Sequence, residues 1–470
     1  MTLFIGGTIV NATGSQQAVL RTDGEHVLEV GDLEAAPGEQ VVDCTGCLLL
    51  PGGIDSHTHL QLESMGTVTA DDFFSGTRSM LTGGTTTTID FATQFHGETP
   101  LQGLAHWHAK ADGHAVGDYA FHMAFTEWQP EFADQLAEVV AQGVSSFKMY
   151  MAYRDTMMVD DDQIYTALKR TTALGCTVGF HCENGYLIDA RVSEELAAGH
   201  TASYFHQRTR PAEFEREAVN RLGVIAETAG APVYAVHLST AGGLAEIEAA
   251  RERGVRYAAE TCPQYLMLDD TAYGPEPANG VALPADERTA RKVVMSPPLR
   301  DRSNQEPLWQ GLADGGIQFI GTDHCSFTID EQKATSTDFT QVPNGAPGLE
   351  LRLPLMFSEG VAKQRLTPER FVAVTSTNAA RYFGLYPRKG ILQPGSDADV
   401  VVLDPRTTWM VHHEALHDGC DYTPFEGMPV QGKVREVFLR GRQVVADGEP
   451  VDDLPAGTFV PCGRPELDVR

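Results

Sequence analysis

The chain has 470 residues, too many for one small core and suited to a large domain with an accessory. Its 42% hydrophobic and 21% charged content is that of a globular protein with little disorder. A net charge of −29 would repel nucleic-acid phosphates and anionic membrane surfaces, so neither is an expected partner. The start, Met1-Thr-Leu-Phe-Ile-Gly-Gly, lacks the basic segment and apolar stretch of a secretion signal. No later run is long enough to span a bilayer, and a cytoplasmic location is expected. Eight scattered cysteines form no dense framework, which favours reduced thiols; Cys44 and Cys47 are read as buried rather than reactive.

Residues 1–50 read as short strands at 3–10, 27–30, 40–43 and 47–50, broken by Gly, Asn and Asp. From 51 to 386, apolar runs alternate with longer amphipathic stretches, the pattern of repeated β–α units on a parallel sheet. Eight strands can be placed, near Ile54 and at 86–91, 119–125, 145–149, 177–181, 233–237, 255–260 and 318–322. Helices are expected between them, for example at 131–141, 213–229 and 244–253, where apolar residues recur three or four apart. The fold class predicted for 51–386 is α/β, a TIM-like (β/α)8 barrel. Strand-like texture returns at 398–403, 434–439 and 443–446. Neither end of the chain alone has enough strands to bury a core, so 1–50 and 387–470 are expected to pair into one small β-sandwich.

Chemistry-bearing residues gather where barrel strands end. In Pro51-Gly-Gly-Ile-Asp-Ser-His-Thr-His59, strand alternation sends His57 and His59 to one face and Thr58 to the other. Two histidines so spaced are weak evidence alone. Lys148, His181, His237 and Asp323, however, fall at the ends of the fourth, fifth, sixth and eighth strands, and the loops after barrel strands meet at one mouth. A purely structural role would not favour that end of each strand. Four imidazoles and a carboxylate suit Zn²⁺ or a similar first-row ion, and no thiolate cluster suggests a closed structural site. Lys148 is the odd member, because a protonated amine has no lone pair for a metal. In the apolar setting of Phe147-Lys148-Met149 its pKa can fall, and addition of CO2 to the neutral amine would make an anionic carbamate ligand.

Along almost its whole length the chain resembles the dihydropyrimidinase and D-hydantoinase group of the amidohydrolase superfamily. The resemblance rests on Gly52-Gly-Ile-Asp-Ser-His-Thr-His-Leu60, Gly66-Thr-Val-Thr-Ala-Asp-Asp-Phe73, Gly83-Gly-Thr-Thr86, Phe147-Lys-Met-Tyr-Met-Ala-Tyr153 and His181-Cys-Glu-Asn-Gly185. It continues in Glu260-Thr-Cys-Pro-Gln-Tyr265, Met295-Ser-Pro-Pro-Leu-Arg300, Gly321-Thr-Asp-His-Cys325, Pro343-Asn-Gly-Ala-Pro-Gly348 and Asp421-Tyr-Thr-Pro-Phe-Glu-Gly427. It implies two divalent ions, with Zn²⁺ expected and Mn²⁺ or Co²⁺ as alternatives. His57 and His59 would hold the first, His181 and His237 the second, and carboxylated Lys148 would bridge them. Asp323 matches a ligand of the first ion and the general base, and Tyr153 a donor to the developing oxyanion. Tyr153, Ser296 and Asn344 match the positions that hold a cyclic substrate, the last two in part through backbone groups. The implied reaction is hydrolysis of a dihydropyrimidine or 5-substituted hydantoin to an N-carbamoyl amino acid. A homotetramer is implied, with a dimer as the alternative and C-terminal segments in the subunit contacts.

Relatives acting on other cyclic amides, dihydroorotases and allantoinases, tend to carry Arg or Asn two residues after the second histidine, where this chain has Gln61. Allantoin or dihydroorotate is therefore the alternative substrate. The usual Pro-Phe beyond that position is replaced by Glu63-Ser64, and the usual Phe after the bridging lysine by Tyr150. Leu62, Glu63, Ser64 and Tyr150 are expected in the loops gating the substrate's side group, where Glu63 would either favour polar or cationic substituents or face water. A non-catalytic scaffold of the same superfamily is the alternative from another class, but such proteins lose metal ligands and all six positions are filled here. His324 and Cys325 are expected to point away from the site. His106, His108, His114, His412, His413 and His417 are expected to be solvated or structural.

Overall fold

The computed structural model describes residues 1–469. Eight parallel strands succeed one another round a single sheet in chain order: Gly53–Thr58, Thr85–Gln94, Asp118–Phe125, Ser146–Tyr150, Thr177–His181, Val233–Ala235, Tyr257–Thr261 and Phe319–Ile320. Nearly every residue of these strands is buried on both faces, as the helices outside and the filled interior of a (β/α)8 barrel require. The seam between the eighth and first strands has only an isolated parallel bridge, Thr58 to His324. Side chains close it. Asp55 accepts from Thr322 N (3.1 Å) and Thr322 Oγ1 (2.8 Å), and the fully buried Arg352 donates to Ile320 O (3.0 Å) and Thr85 Oγ1 (3.1 Å).

The expected helices form with shifted limits. Ala212–Ala229 and Ala241–Glu252 run much as the periodicity predicts, and Thr240 caps the second by accepting from Gly243 N (3.0 Å). The helix expected at 131–141 is split into a 3₁₀ turn, Pro130–Asp134, and a helix, Leu136–Ala141.

The chain ends combine into two further sheets. Four strands, His26–Gly31, Val19–Asp23, Thr2–Ile5 and Gln40–Asp43, form one. Seven form the other, in the order Glu449–Pro450, Arg442–Ala446, Pro429–Leu439, Val400–Met410, Leu48–Pro51, Thr8–Asn11 and Gly14–Gln17. Between the sheets lie Phe4, Leu20, Val27, Leu49, Val400, Val402 and Phe438, while the alternate residues Val401 and Leu403 join the barrel cluster. The large sheet is thus apolar on both faces and couples sandwich to barrel. The expected strand at 3–10 is two strands, because Gly6 turns the chain with φ at 76°. The final stretch returns to the barrel, where Val460 N donates to Tyr119 O (2.7 Å) and Cys462 N to Gly143 O (2.8 Å).

Candidate active site

The sequence-predicted metal ligands converge at the mouth of the barrel, and all are buried except Asp323, whose side chain is 13% exposed. His57 Nε2 lies 2.9 Å from Lys148 Nζ and 3.1 Å from Asp323 Oδ1, and His59 Nε2 lies 3.3 Å from the same oxygen. His181 Nδ1 faces His237 Nε2 at 3.0 Å. One ligand atom each from His57, His237 and Asp323 falls within 4.8 Å of the others. Phe91 backs the group, stacked on His59 with ring centroids 5.2 Å apart and 4.1 Å below Lys148 Nζ.

Two carboxylates that sequence reasoning passed over hold the rings from behind. Glu260, on the seventh strand, accepts from His57 Nδ1 at 2.5 Å, from His237 N at 3.2 Å and from Ser56 Oγ at 2.7 Å. Glu183 accepts from His181 Nε2 at 2.9 Å and from Arg210 Nη1 at 3.0 Å. With its outer nitrogen so engaged, His181 turns a lone pair inward at Nδ1, and Glu260 aims His57 Nε2 at the same space. The signal available was position. Glu260 stands near a strand end like the ligands, and Glu183 two residues after His181.

Burial pulls His59 down to about 4 and His237 and His181 below the usual imidazole range, so these rings are neutral bases at pH 7. Burial and the Lys148 charge work against a proton on His57, but Glu260 and Asp323 outweigh them and raise it. Burial also opposes the charge on Asp323, yet the His57 charge and hydrogen bonds from His57 and His59 keep it ionised. Desolvation lowers Lys148 to about 8, where an appreciable fraction is free amine at neutral pH. Three neutral imidazoles, a fourth that would give up its proton on binding a cation, a carboxylate and an amine able to become a carbamate fit a divalent first-row metal.

A cavity of about 480 Å³ opens over the cluster. His59, Lys148, His181, His237 and Asp323 line it, as do Tyr153, Ser296 and Asn344 and all four predicted gating residues, Leu62, Glu63, Ser64 and Tyr150. Burial raises the Tyr153 phenol, so it stays protonated as a donor. Ser296 Oγ stands 3.5 Å from Asn344 Oδ1 and 3.4 Å from His206 Nε2. Tyr153, His237 and Asp323 hold φ values of 66°, 40° and 53°, a left-handed conformation costly for such side chains and concentrated here at the cavity.

Two expectations change. Cys325 lines the cavity instead of pointing away, because the turn at Asp323 breaks strand alternation; His324 does turn outward, to Asp71 at 3.0 Å. Glu63 neither projects a free charge into the cavity nor merely faces water, since Lys110 Nζ pairs with it at 2.6 Å. Gln61 lies off the cavity wall, its carbonyl accepting from Lys110 Nζ at 2.8 Å.

The Amidohydrolase family profile matches residues 48–444. A D-hydantoinase of Geobacillus stearothermophilus is 42% identical over 460 residues, covering 97% of this chain and 96% of that one. The chain belongs to the amidohydrolase family, in its D-hydantoinase and dihydropyrimidinase group. Family members generally use a metal centre, in keeping with the donor set at the barrel mouth. A D-phenylhydantoinase of Escherichia coli (strain K12) is 39% identical over 463 residues, with 97% of each chain covered. The solved structure of a dihydropyrimidinase from Brevibacillus agri NCHU1002 superposes with a TM-score of 0.94 at 41% identity, covering 98% of this chain and 99% of that one. No helix among the described residues is long and apolar enough to cross a membrane.

Proposed function

We infer that this protein opens a cyclic amide ring, a 5-substituted hydantoin or a dihydropyrimidine, to an N-carbamoyl amino acid at a two-metal centre. The observation that carries the reading is the convergence of three imidazoles, Asp323 and a pKa-lowered Lys148 on the floor of one cavity, with the fourth imidazole, His57, 2.9 Å from Lys148 Nζ. His57 and His59 would hold one ion and His181 and His237 the other, with carboxylated Lys148 shared and Asp323 on the first. Zn²⁺ is the expected metal for this nitrogen-rich set. When bound, the ions supply a Lewis acid for the ring carbonyl and lower the pKa of the attacking water.

The chain's own groups do the rest. Asp323, ionised and on the cavity wall, takes the proton of the attacking water and delivers it to the leaving ring nitrogen. Tyr153, kept protonated by burial, donates to the carbonyl oxygen as its negative charge grows. Ser296 and Asn344 hold the ring's polar edge in part through main-chain groups. Leu62, Met65, Tyr150 and Met157 give the rest of the wall an apolar character suited to a hydrophobic substituent, with the Glu63 charge balanced by Lys110. Relatives named for D-hydantoin and D-phenylhydantoin hydrolysis support the D hand for that substituent.

The protein acts in the cytoplasm as a homotetramer. Exposed apolar side chains on neighbouring barrel helices, Tyr165, Tyr186, Leu187 and Val224, support self-association. The deciding experiment is ring opening of dihydrouracil, D- and L-5-substituted hydantoins, allantoin and dihydroorotate, with metal counted on the same sample. Turnover of the first two classes with about two metals per chain is expected. Turnover of allantoin or dihydroorotate alone, or full activity without metal, would overturn the reading.

A further inference from the structure

Lys333 ends a single π-helical turn, Ile329–Lys333, in the loop region after the eighth strand, and its side chain is completely buried. Among the described residues no carboxylate pairs with it; its titratable neighbours are the thiols of Cys420 and Cys325, which burial keeps protonated, and the Tyr422 ring lies 6.0 Å away. Its ammonium meets three main-chain carbonyls, those of Arg291 at 3.1 Å, Val294 at 3.0 Å and Gly345 at 2.6 Å. Burying an ammonium without a counter-ion is costly, and an apolar side chain could fill the same space without that cost. Burial accordingly pulls the amine down to about 7, and the three carbonyls are what the charged form gains in return.

Those carbonyls belong to the two segments that carry Ser296 and Asn344. Gly345 N donates to Val294 O at 3.0 Å, so the segments are already in register. Arg291 reciprocates by donating to Lys333 O (3.1 Å), Ala334 O (2.7 Å) and Ser336 O (2.8 Å), which ties the lysine's own loop to the same frame. Gly345 has φ at 141°, and a Cβ there would come within 2.3 Å of Cys325 O, so the backbone at this anchor has no slack. Ser296, Asn344 and Gly345 line the cavity; Lys333 stands behind them and does not.

We propose that Lys333 is a positioning residue whose ammonium cross-links the 291–296 and 344–346 segments and so fixes the spacing of the two anchors, Ser296 and Asn344, between which the substrate ring is held. The roles of those anchors rest on the functional reading above; the cross-link does not. An ammonium suits the task because its three N–H groups satisfy three carbonyls from different segments at once.

The test compares the metal-loaded wild type with Lys333→Met, which removes every donor, and Lys333→Gln, which keeps two on a shorter stem. Amide hydrogen exchange is monitored in peptides covering 291–296 and 344–346, and kcat, KM and metal content are measured on the hydantoin and dihydrouracil panel. Lys333→Met is expected to speed exchange in both segments and raise KM at least ~10-fold, with kcat within ~3-fold and metal content unchanged, the pattern of lost ground-state and transition-state binding alike. Lys333→Gln should fall between it and wild type. Unchanged exchange would overturn the cross-link. Faster exchange with unchanged KM, or a loss confined to kcat and metal content, would overturn its role in holding substrate. A wild type that opens none of the rings would sink the functional reading, while the exchange arm would still judge the cross-link. Failure of both variants to fold would make Lys333 a folding element and end the proposal.

Discussion

Glu260→Gln isolates what a buried carboxylate does for the rings proposed to bind metal. The side chain is fully buried and both oxygens are engaged, with Oε1 accepting from His57 Nδ1 (2.5 Å) and His237 N (3.2 Å) and Oε2 from Ser56 Oγ (2.7 Å). Glutamine has the same shape. Its oxygen can keep both bonds at the Oε1 position, and its amide can donate to the Ser56 hydroxyl oxygen, which leaves the Ser56 proton to turn to another acceptor. The geometry at His57 is therefore preserved while the charge is lost, so the bond to His57 falls from charge-assisted to neutral strength and the ring becomes a weaker base. Such a change typically weakens metal binding 10–100-fold, about 1.4–2.7 kcal/mol. Metal retained per chain against a competing chelator should shift by that factor, with activity recovering at excess metal. Thermal stability of the metal-free protein should fall, because the His57 proton loses a buried counter-charge and the Ser56 hydroxyl its acceptor. Glu260→Ala should differ by leaving three donors unpaired, at about 1–3 kcal/mol each. Metal retention equal to wild type in Glu260→Gln would refute the argument that this carboxylate tunes the site.

Lys148→Ala should abolish activity and lose the shared metal, with partial rescue by small carboxylic acids that replace the carbamate oxygens; full activity would remove the carbamate reading. Because burial lowers the Lys148 ammonium to about 8, the free amine grows as pH rises toward 8 and saturates beyond it. Reconstitution of the stripped protein at fixed dissolved CO2 should trace that curve, whereas an unperturbed lysine would keep gaining to about pH 10.4. Glu63→Gln should leave the ranking of apolar, neutral-polar and cationic hydantoins unchanged, each rate within ~2-fold, because Lys110 already balances the charge and rim pairs contribute little. Selective loss of the cationic substrate would reverse that view.

That the candidate ligands would gather at one place was legible because the β/α alternation fixes where strands end, and strand ends in a barrel share one mouth. His181 closes its strand, and His237 and Asp323 lie two and three residues beyond theirs, so an error of a residue or two in a boundary did not move them off the site. The polar strand Gly14–Gln17 was not legible, since all four of its residues are exposed and carry no apolar alternation. Cys325 escaped for a different reason. The left-handed turn at Asp323 reverses the facing of the residues after it, and sequence marks it only weakly, because aspartate visits positive φ more than most residues yet adopts it at few of its positions.

The carboxylates and Lys333 were hidden by a third kind of gap. Glu183, Glu260 and Lys333 act through partners 2 to 204 positions away, and a charged residue in an apolar run reads the same whether it meets a ring nitrogen, a guanidinium or a set of carbonyls. What distinguishes them is complete burial, a cost that each must recover from those partners. The candidate ligands announce themselves by type and place; the groups that aim them become visible only when the cost of burial is set beside the bonds that meet it.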